Sequence, residues 1–275
     1  MPSTLCTSFA LGILSVLLAL STTSTRAGSV APNIIGGKGS SQWPGVGTVY
    51  AKIAGGYATC TGTAITPRWV LTAAHCLDPA AGGSNYPPNT SFLIGPDYAS
   101  PTATYSVDQI TFDSSFNPNN LSNGHDLGLI HVTADMPVLS FKLNSMPLTS
   151  SVNGRFALIM GYGITSASSF SNTTKQLATV QINSFDANLV YSNFSSTSSG
   201  TCEGDSGGPL YVYDADGFPL ILGTSSFGDS TCAHTSALQR VDADLSFVTS
   251  TVGSGICLNG ESCDGIFRNG FEPPL

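Results

Sequence analysis

Cys202-Glu203-Gly204-Asp205-Ser206-Gly207-Gly208-Pro209 sets a serine among glycines and directly after an acid, an arrangement that packing alone does not call for. It reads as an exposed nucleophile. Glycine has no β-carbon, so the backbone can turn sharply and a substrate can come close, while neighbouring N–H groups stay free to face an oxyanion. The same run fits G-x-S-x-G, the strand-to-helix elbow of the esterases, from Gly204 to Gly208. The serine alone leaves two folds open, and the order of its partners along the chain decides between them.

A serine hydroxyl is a weak nucleophile near neutral pH. It needs a base, and the base needs a carboxylate to set its tautomer and stabilise its cation. Four histidines are available. His75 closes Val70-Leu71-Thr72-Ala73-Ala74-His75-Cys76, while His125, His131 and His234 read as ordinary surface or strand residues, His234 standing where it could rim a pocket. The acid is Asp126 in Gly124-His125-Asp126-Leu127-Gly128-Leu129-Ile130, a lone carboxylate entering an apolar strand. The order is therefore His75, Asp126, Ser206. Elbow hydrolases run Ser, Asp, His and subtilisins run Asp, His, Ser, so only the chymotrypsin order fits.

Four anchors then agree: Ile34-Ile35-Gly36-Gly37, Thr72-Ala73-Ala74-His75-Cys76, Asp126-Leu127-Gly128-Leu129-Ile130 and Gly204-Asp205-Ser206-Gly207-Gly208-Pro209. On these residues the chain resembles a trypsin/chymotrypsin-type serine endopeptidase over most of its length. The resemblance implies an all-β fold of two antiparallel six-stranded β-barrels with a C-terminal helix, the barrels dividing near residues 137–149. It implies peptide-bond hydrolysis with catalytic His75, Asp126 and Ser206, an oxyanion hole from the N–H groups of Gly204 and Ser206, and Ser226 bracing Asp126. It further implies a substrate pocket at Gly200, Thr201, Ser226, Phe227 and Gly228, and an activation pair between the freed amine of Ile34 and Asp205. A charge-free Gly200 at the pocket floor points to large apolar or aromatic side chains, with small aliphatic ones as the alternative and Asp229 near the rim as an entry for a basic group. No metal or cofactor is expected. The alternatives are a non-proteolytic binding homologue, or an esterase or transferase on the same fold.

Cysteine use suits an exported protein. A 12-residue apolar run, Phe9 to Leu20, followed by Thr25-Arg26-Ala27, resembles a secretory signal over 1–27 and is too short to span a membrane. Residues 28–33 would be a short propeptide, 34–253 the protease domain and 254–275 a disulfide-clipped tail, with Gly265 to Glu272 resembling a terminal motif of secreted bacterial proteins. Removing the leader removes Cys6 and leaves six cysteines. The resemblance pairs Cys60 with Cys76 and Cys202 with Cys232, which leaves Cys257 with Cys263. This reduced set suits a bacterial or simple invertebrate member, and Ala157 and Val212 stand where relatives carry another bridge.

Beyond residue 33 the chain holds 8 basic and 17 acidic residues, a formal net of 8 − 17 = −9, which argues against nucleic acid as a partner. Protein or peptide substrates, a secreted location and a monomer are the expectations, with no membrane contact once the leader is gone. Strand patterns at Tyr57 to Ile65, Trp69 to Thr72, Phe156 to Met160 and Leu220 to Leu222 suit barrels rich in turns. One helix is legible, with Asp242 as its cap and Leu245, Val248 and Val252 on one face.

Overall fold

The structure, a computed structural model, describes residues 34, 35, 37–137, 141–165, 171–194 and 198–261. The expected leader and propeptide, Cys263 and the motif at 265–272 lie outside the described residues.

Six strands form the first half. They are β2 (Val46–Ile53), β3 (Gly56–Ala64), β4 (Trp69–Thr72), β5 (Thr90–Ile94), β6 (Ala103–Phe112) and β7 (Gly128–Val132), preceded by a short β1 (Lys38–Gly39). They close in the order β2-β3-β4-β7-β6-β5, with β5 returning to β2. Alternation does the folding here: in β5, Thr90, Phe92 and Ile94 point inward while Ser91 and Leu93 do not. Val49, Val70, Phe92, Val107 and Ile130 fill the interior. The β3–β4 connection is fixed by Thr66, whose Oγ1 accepts the N–H groups of Arg68 at 3.2 Å and Trp69 at 2.9 Å.

The second half adds β8 (Lys142–Leu143), β9 (Phe156–Gly161), β10 (Gln176–Gln181), β11 (Ser184–Phe185), β12 (Leu189–Asn193), β13 (Pro209–Tyr213), β14 (Pro219–Gly228) and β15 (Thr235–Arg240). With β1 these make a nine-stranded sheet in the order β1-β10-β9-β13-β14-β15-β12-β11, and β8 pairs parallel to β14. Six of them, β9, β10 and β12 to β15, surround one core containing Ile159, Val180, Val190, Leu210, Leu222 and Leu238, as a barrel would. Their ladder does not close, however. The outer edge of β10 is taken by β1 and that of β12 by β11, so the two edges that would meet are each capped by a two-residue strand. Ala157 and Val212 are buried together in this core.

A third core joins the halves. Trp43, Leu71, Leu127 and Leu129 from the first pack with Phe141, Met160, Tyr211 and Ile221 from the second. The helix α1 (Leu245–Val252) covers this middle core through fully buried Val248. Its cap position corrects the sequence expectation: the N-cap is Asp244, two residues beyond Asp242, and the Asp244 side chain makes no capping bond. Asp242 instead pairs with Arg240 and accepts the Leu148 N–H.

Candidate active site

His75 sits in a single 3-10 turn, Ala74–Cys76, that follows β4 directly. Small, buried Ala73 and Ala74 let this turn lie against the barrel, and a disulfide from Cys76 to Cys60 on β3 ties it down. Its ring stays 19% exposed while the Asp126 side chain is fully buried. Asp126 enters just ahead of β7, after His125 at a left-handed φ of 63°. Its Oδ1 accepts the His75 N–H at 2.9 Å; its Oδ2 lies 2.8 Å from His75 Nδ1 and accepts the Ser226 hydroxyl at 2.5 Å. An ionised carboxylate only accepts, so Nδ1 carries the imidazole proton and Nε2 keeps its lone pair. Sequence reasoning missed Gln239, which is fully buried on β15 and whose Oε1 accepts the Asp126 N–H at 3.3 Å. No local pattern marks it, because its partner lies 113 residues away.

Ser206 is held by backbone. Its carbonyl accepts the Thr61 N–H at 2.8 Å, while the following N–H groups of Gly207 and Gly208 go to Ser225 O and Asp205 O. Among the described residues, neither the Gly204 nor the Ser206 N–H has an acceptor. Gly204 has φ +93°, and a Cβ there would stand 2.9 Å from the Gly163 Cα, so any other residue would be strained at this point.

Asp205 is 1% exposed. Gly163 N–H donates to its Oδ1 at 2.8 Å and Cys202 N–H to its Oδ2 at 3.0 Å. Burial pushes its carboxyl up to about 7, the two N–H bonds pulling the other way. Ile34 is fully buried in the second core, and Ile35 forms an antiparallel bridge with Gly200.

A pocket of about 210 Å³ opens beside Ser206, lined among others by Thr201, Ser225, Ser226, Phe227 and Gly228. The Cys202–Cys232 disulfide joins its two walls. Gly200 stands apart from this lining; a Cβ there would meet the Phe194 ring at 2.2 Å. Asp229 borders the pocket but spends its charge on its own loop; against the upward push of burial, the Thr231 hydroxyl and the N–H groups of Thr235, His234 and Ala233 hold its carboxyl well below the usual range. His234 is exposed and outside the lining, and His131 pairs with Asp108 at 2.6 Å. His125, read from sequence as ordinary, lies 2.8 Å from Asp244. Cys257 is disulfide-bonded, with its expected partner Cys263 beyond the described residues.

The family described as Trypsin matches residues 34–247. The chain belongs to the trypsin family. Among its relatives is chymotrypsin-like elastase family member 1 of Macaca fascicularis, 28% identical over 80% of this chain and 90% of that protein. The protein of the same name from Homo sapiens is 27% identical over 80% and 93%. Brachyurin of Leptuca pugilator is 28% identical over 70% and 88%. This trypsin-family chain is a serine endopeptidase that acts on protein or peptide substrates. Among its described residues no helix is long and apolar enough to cross a membrane.

Proposed function

We propose that this endopeptidase is secreted, matures by cleavage after Asn33, and cleaves peptide bonds through an acyl-enzyme on Ser206, after apolar or aromatic residues. The observation that carries the mechanism is the fully buried Asp126, bound at once to the His75 N–H, the His75 ring and Ser226, close in the fold to Ser206, whose own N–H and that of Gly204 have no acceptor among the described residues. Ser206 Oγ attacks the scissile carbonyl while His75 Nε2 takes its proton. The oxyanion then rests on the N–H groups of Gly204 and Ser206. His75 returns the proton to the leaving amine, and water repeats the sequence on the ester, releasing the acid and restoring Ser206. One oxyanion donor is worth about 3–4 kcal/mol in the transition state.

Maturation supplies a charge. Cutting after Asn33 turns the Ile34 amide into an ammonium, and buried Asp205 is the carboxylate suited to receive it. Specificity is read from an inner wall of Thr201, Ser225, Ser226, Phe227 and Gly228 that carries no charge; of the two acids in the lining, Asp229 is occupied by its own loop and Glu203 is exposed.

A fluorophosphonate probe tests the mechanism: the matured protein is expected to hydrolyse casein, and label at Ser206 in step with loss of that activity. Labelling elsewhere, or casein hydrolysis that survives full labelling, refutes it. Amino-terminal sequencing of active protein should begin at Ile34, and kcat/KM on matched peptide amides should rank Phe and Leu far above Arg.

A further inference from the structure

Asp113 and His125, from the segment that leads to Asp126, meet Asp244 from 119 residues beyond His125. His125 Nδ1 lies 2.8 Å from Asp244 Oδ1 and 3.6 Å from Asp113 Oδ2, and ligand atoms of the three residues all lie within 4.8 Å of one another. The Asp244 side chain is buried, at 4% exposure, and that of Asp113 is 12% exposed. Each has one oxygen held from outside the cluster. Ser115 N–H donates to Asp113 Oδ1 and Gln239 Nε2 to Asp244 Oδ2, both at 2.8 Å. The remaining oxygens turn toward the imidazole, and Asp113 Oδ2 takes no hydrogen bond among the described residues.

We propose that Asp113, His125 and Asp244 form a binding site for a divalent transition-metal ion, with zinc as the best match. A protonated His125, hydrogen-bonded to Asp244, balances one of the two carboxylates, whereas a divalent ion on its neutral imidazole balances both. One imidazole nitrogen and two carboxylate oxygens form a ligand set that zinc accepts at about 2.0–2.2 Å, which in a tetrahedral shell sets ligand atoms about 3.3 Å apart. The 2.8 and 3.6 Å separations bracket that spacing. Calcium and magnesium, which prefer all-oxygen shells of six or more ligands, suit it less. The outer donors Ser115 and Gln239 fix each carboxylate in a one-oxygen presentation, as a second shell does. His125, 35% exposed, leaves a side open for entry and for a bound water. The site rests on these residues and not on the proteolytic mechanism. It adjoins that mechanism all the same, since His125 precedes Asp126 and Gln239 bridges Asp244 to the Asp126 N–H.

The test uses full-length Ser206→Ala protein, stripped with chelator and titrated calorimetrically with zinc, in parallel with a His75→Gln/Ser206→Ala form that removes the other buried His–Asp pair. One zinc is expected in both. Asp113→Asn and His125→Gln should each weaken it about 10-fold or more. The thermal midpoint should rise by about 5–10 °C at 100-fold excess over Kd. If the variants do not fold, cobalt(II) added to the stripped parent should give visible d–d bands that zinc abolishes. No saturable zinc binding in the His75→Gln form, binding unchanged in folded Asp113→Asn and His125→Gln, or no cobalt bands that zinc displaces would each overturn the proposal.

Discussion

Two buried carboxylates stand on opposite sides of Ser206 in the chain's logic, and they are treated differently. Asp126 is fully buried and receives three hydrogen bonds, two of them from His75 and one from Ser226. Asp205 is almost as deep, at 1% exposure, yet it receives only two backbone N–H groups, and burial raises its carboxyl to about 7. Donors supplied by neighbouring strands and loops complete the first site within the uncut chain. The second has no cationic partner among the described residues, and the maturation proposed above would give it one. One fold thus holds an acid fully supplied with donors and one that is not, and under the proposed function the contrast separates catalysis from activation.

The largest test strikes the first site. Asp126→Asn keeps the shape but swaps an acceptor for a donor opposite His75 Nδ1, so kcat should fall by about 10⁴ with little change in KM. A loss below tenfold would mean that Asp126 does not set the tautomer.

The second site is best broken with pH. In the uncut chain the folded carboxyl of Asp205 titrates near 7 and the unfolded one at 3.8, so between these values the folded state holds a proton that the unfolded state has lost. Stability therefore falls as pH rises through that window, by a few kcal/mol in order of magnitude. Urea midpoints of uncut Ser206→Ala protein at pH 5 and pH 8 should show the drop, and adding Asp205→Asn should flatten it. Protein cut to begin at Ile34 should lose the drop as well. Identical profiles before and after cutting would show that the new terminus never reaches Asp205.

A third substitution sharpens the contrast by adding a carboxylate where none belongs. Gly200→Asp places a Cβ 2.2 Å from the Phe194 ring, so it should cost about 1–3 kcal/mol and fail to confer cleavage after Arg. Pairing it with Phe194→Ala should relieve the clash. Efficient Arg cleavage by the single variant would contradict this account of the pocket floor. The smallest effect is expected at the surface, where Arg68 pairs with Asp135 at 49% and 72% exposure. Arg68→Ala should leave the thermal midpoint essentially unchanged, in contrast to both buried acids.

The parts legible in sequence were those carried by local patterns. Glycines around Ser206, the small residues before His75 and the apolar run after Asp126 each announce themselves within eight positions, and their order along the chain does the rest. What escaped depends on convergence. Gln239 looks like any strand glutamine until β15 brings it under Asp126, and His125 looks idle until Asp244 arrives from 119 residues away. The helix cap was misplaced for a related reason. Asp242 and Asp244 are both plausible caps by type, but Arg240 claims the first and leaves the second to begin the helix. The unclosed second ladder turns on β1 and β11, two-residue strands too short to show a period.

The apolar seam formed by Trp43, Leu71, Leu129, Phe141, Tyr211 and Ile221 bears on how long such a molecule survives in its own company. A concentrated endopeptidase is surrounded by copies able to cut any strand that comes loose. Because this seam draws on both halves, neither can open without exposing the apolar surface of the other, and partial opening is correspondingly rare. Self-digestion should then track the free energy of whole-molecule unfolding and not the fraying of one half, so storage lifetime and denaturant resistance should rise and fall together among variants of the seam.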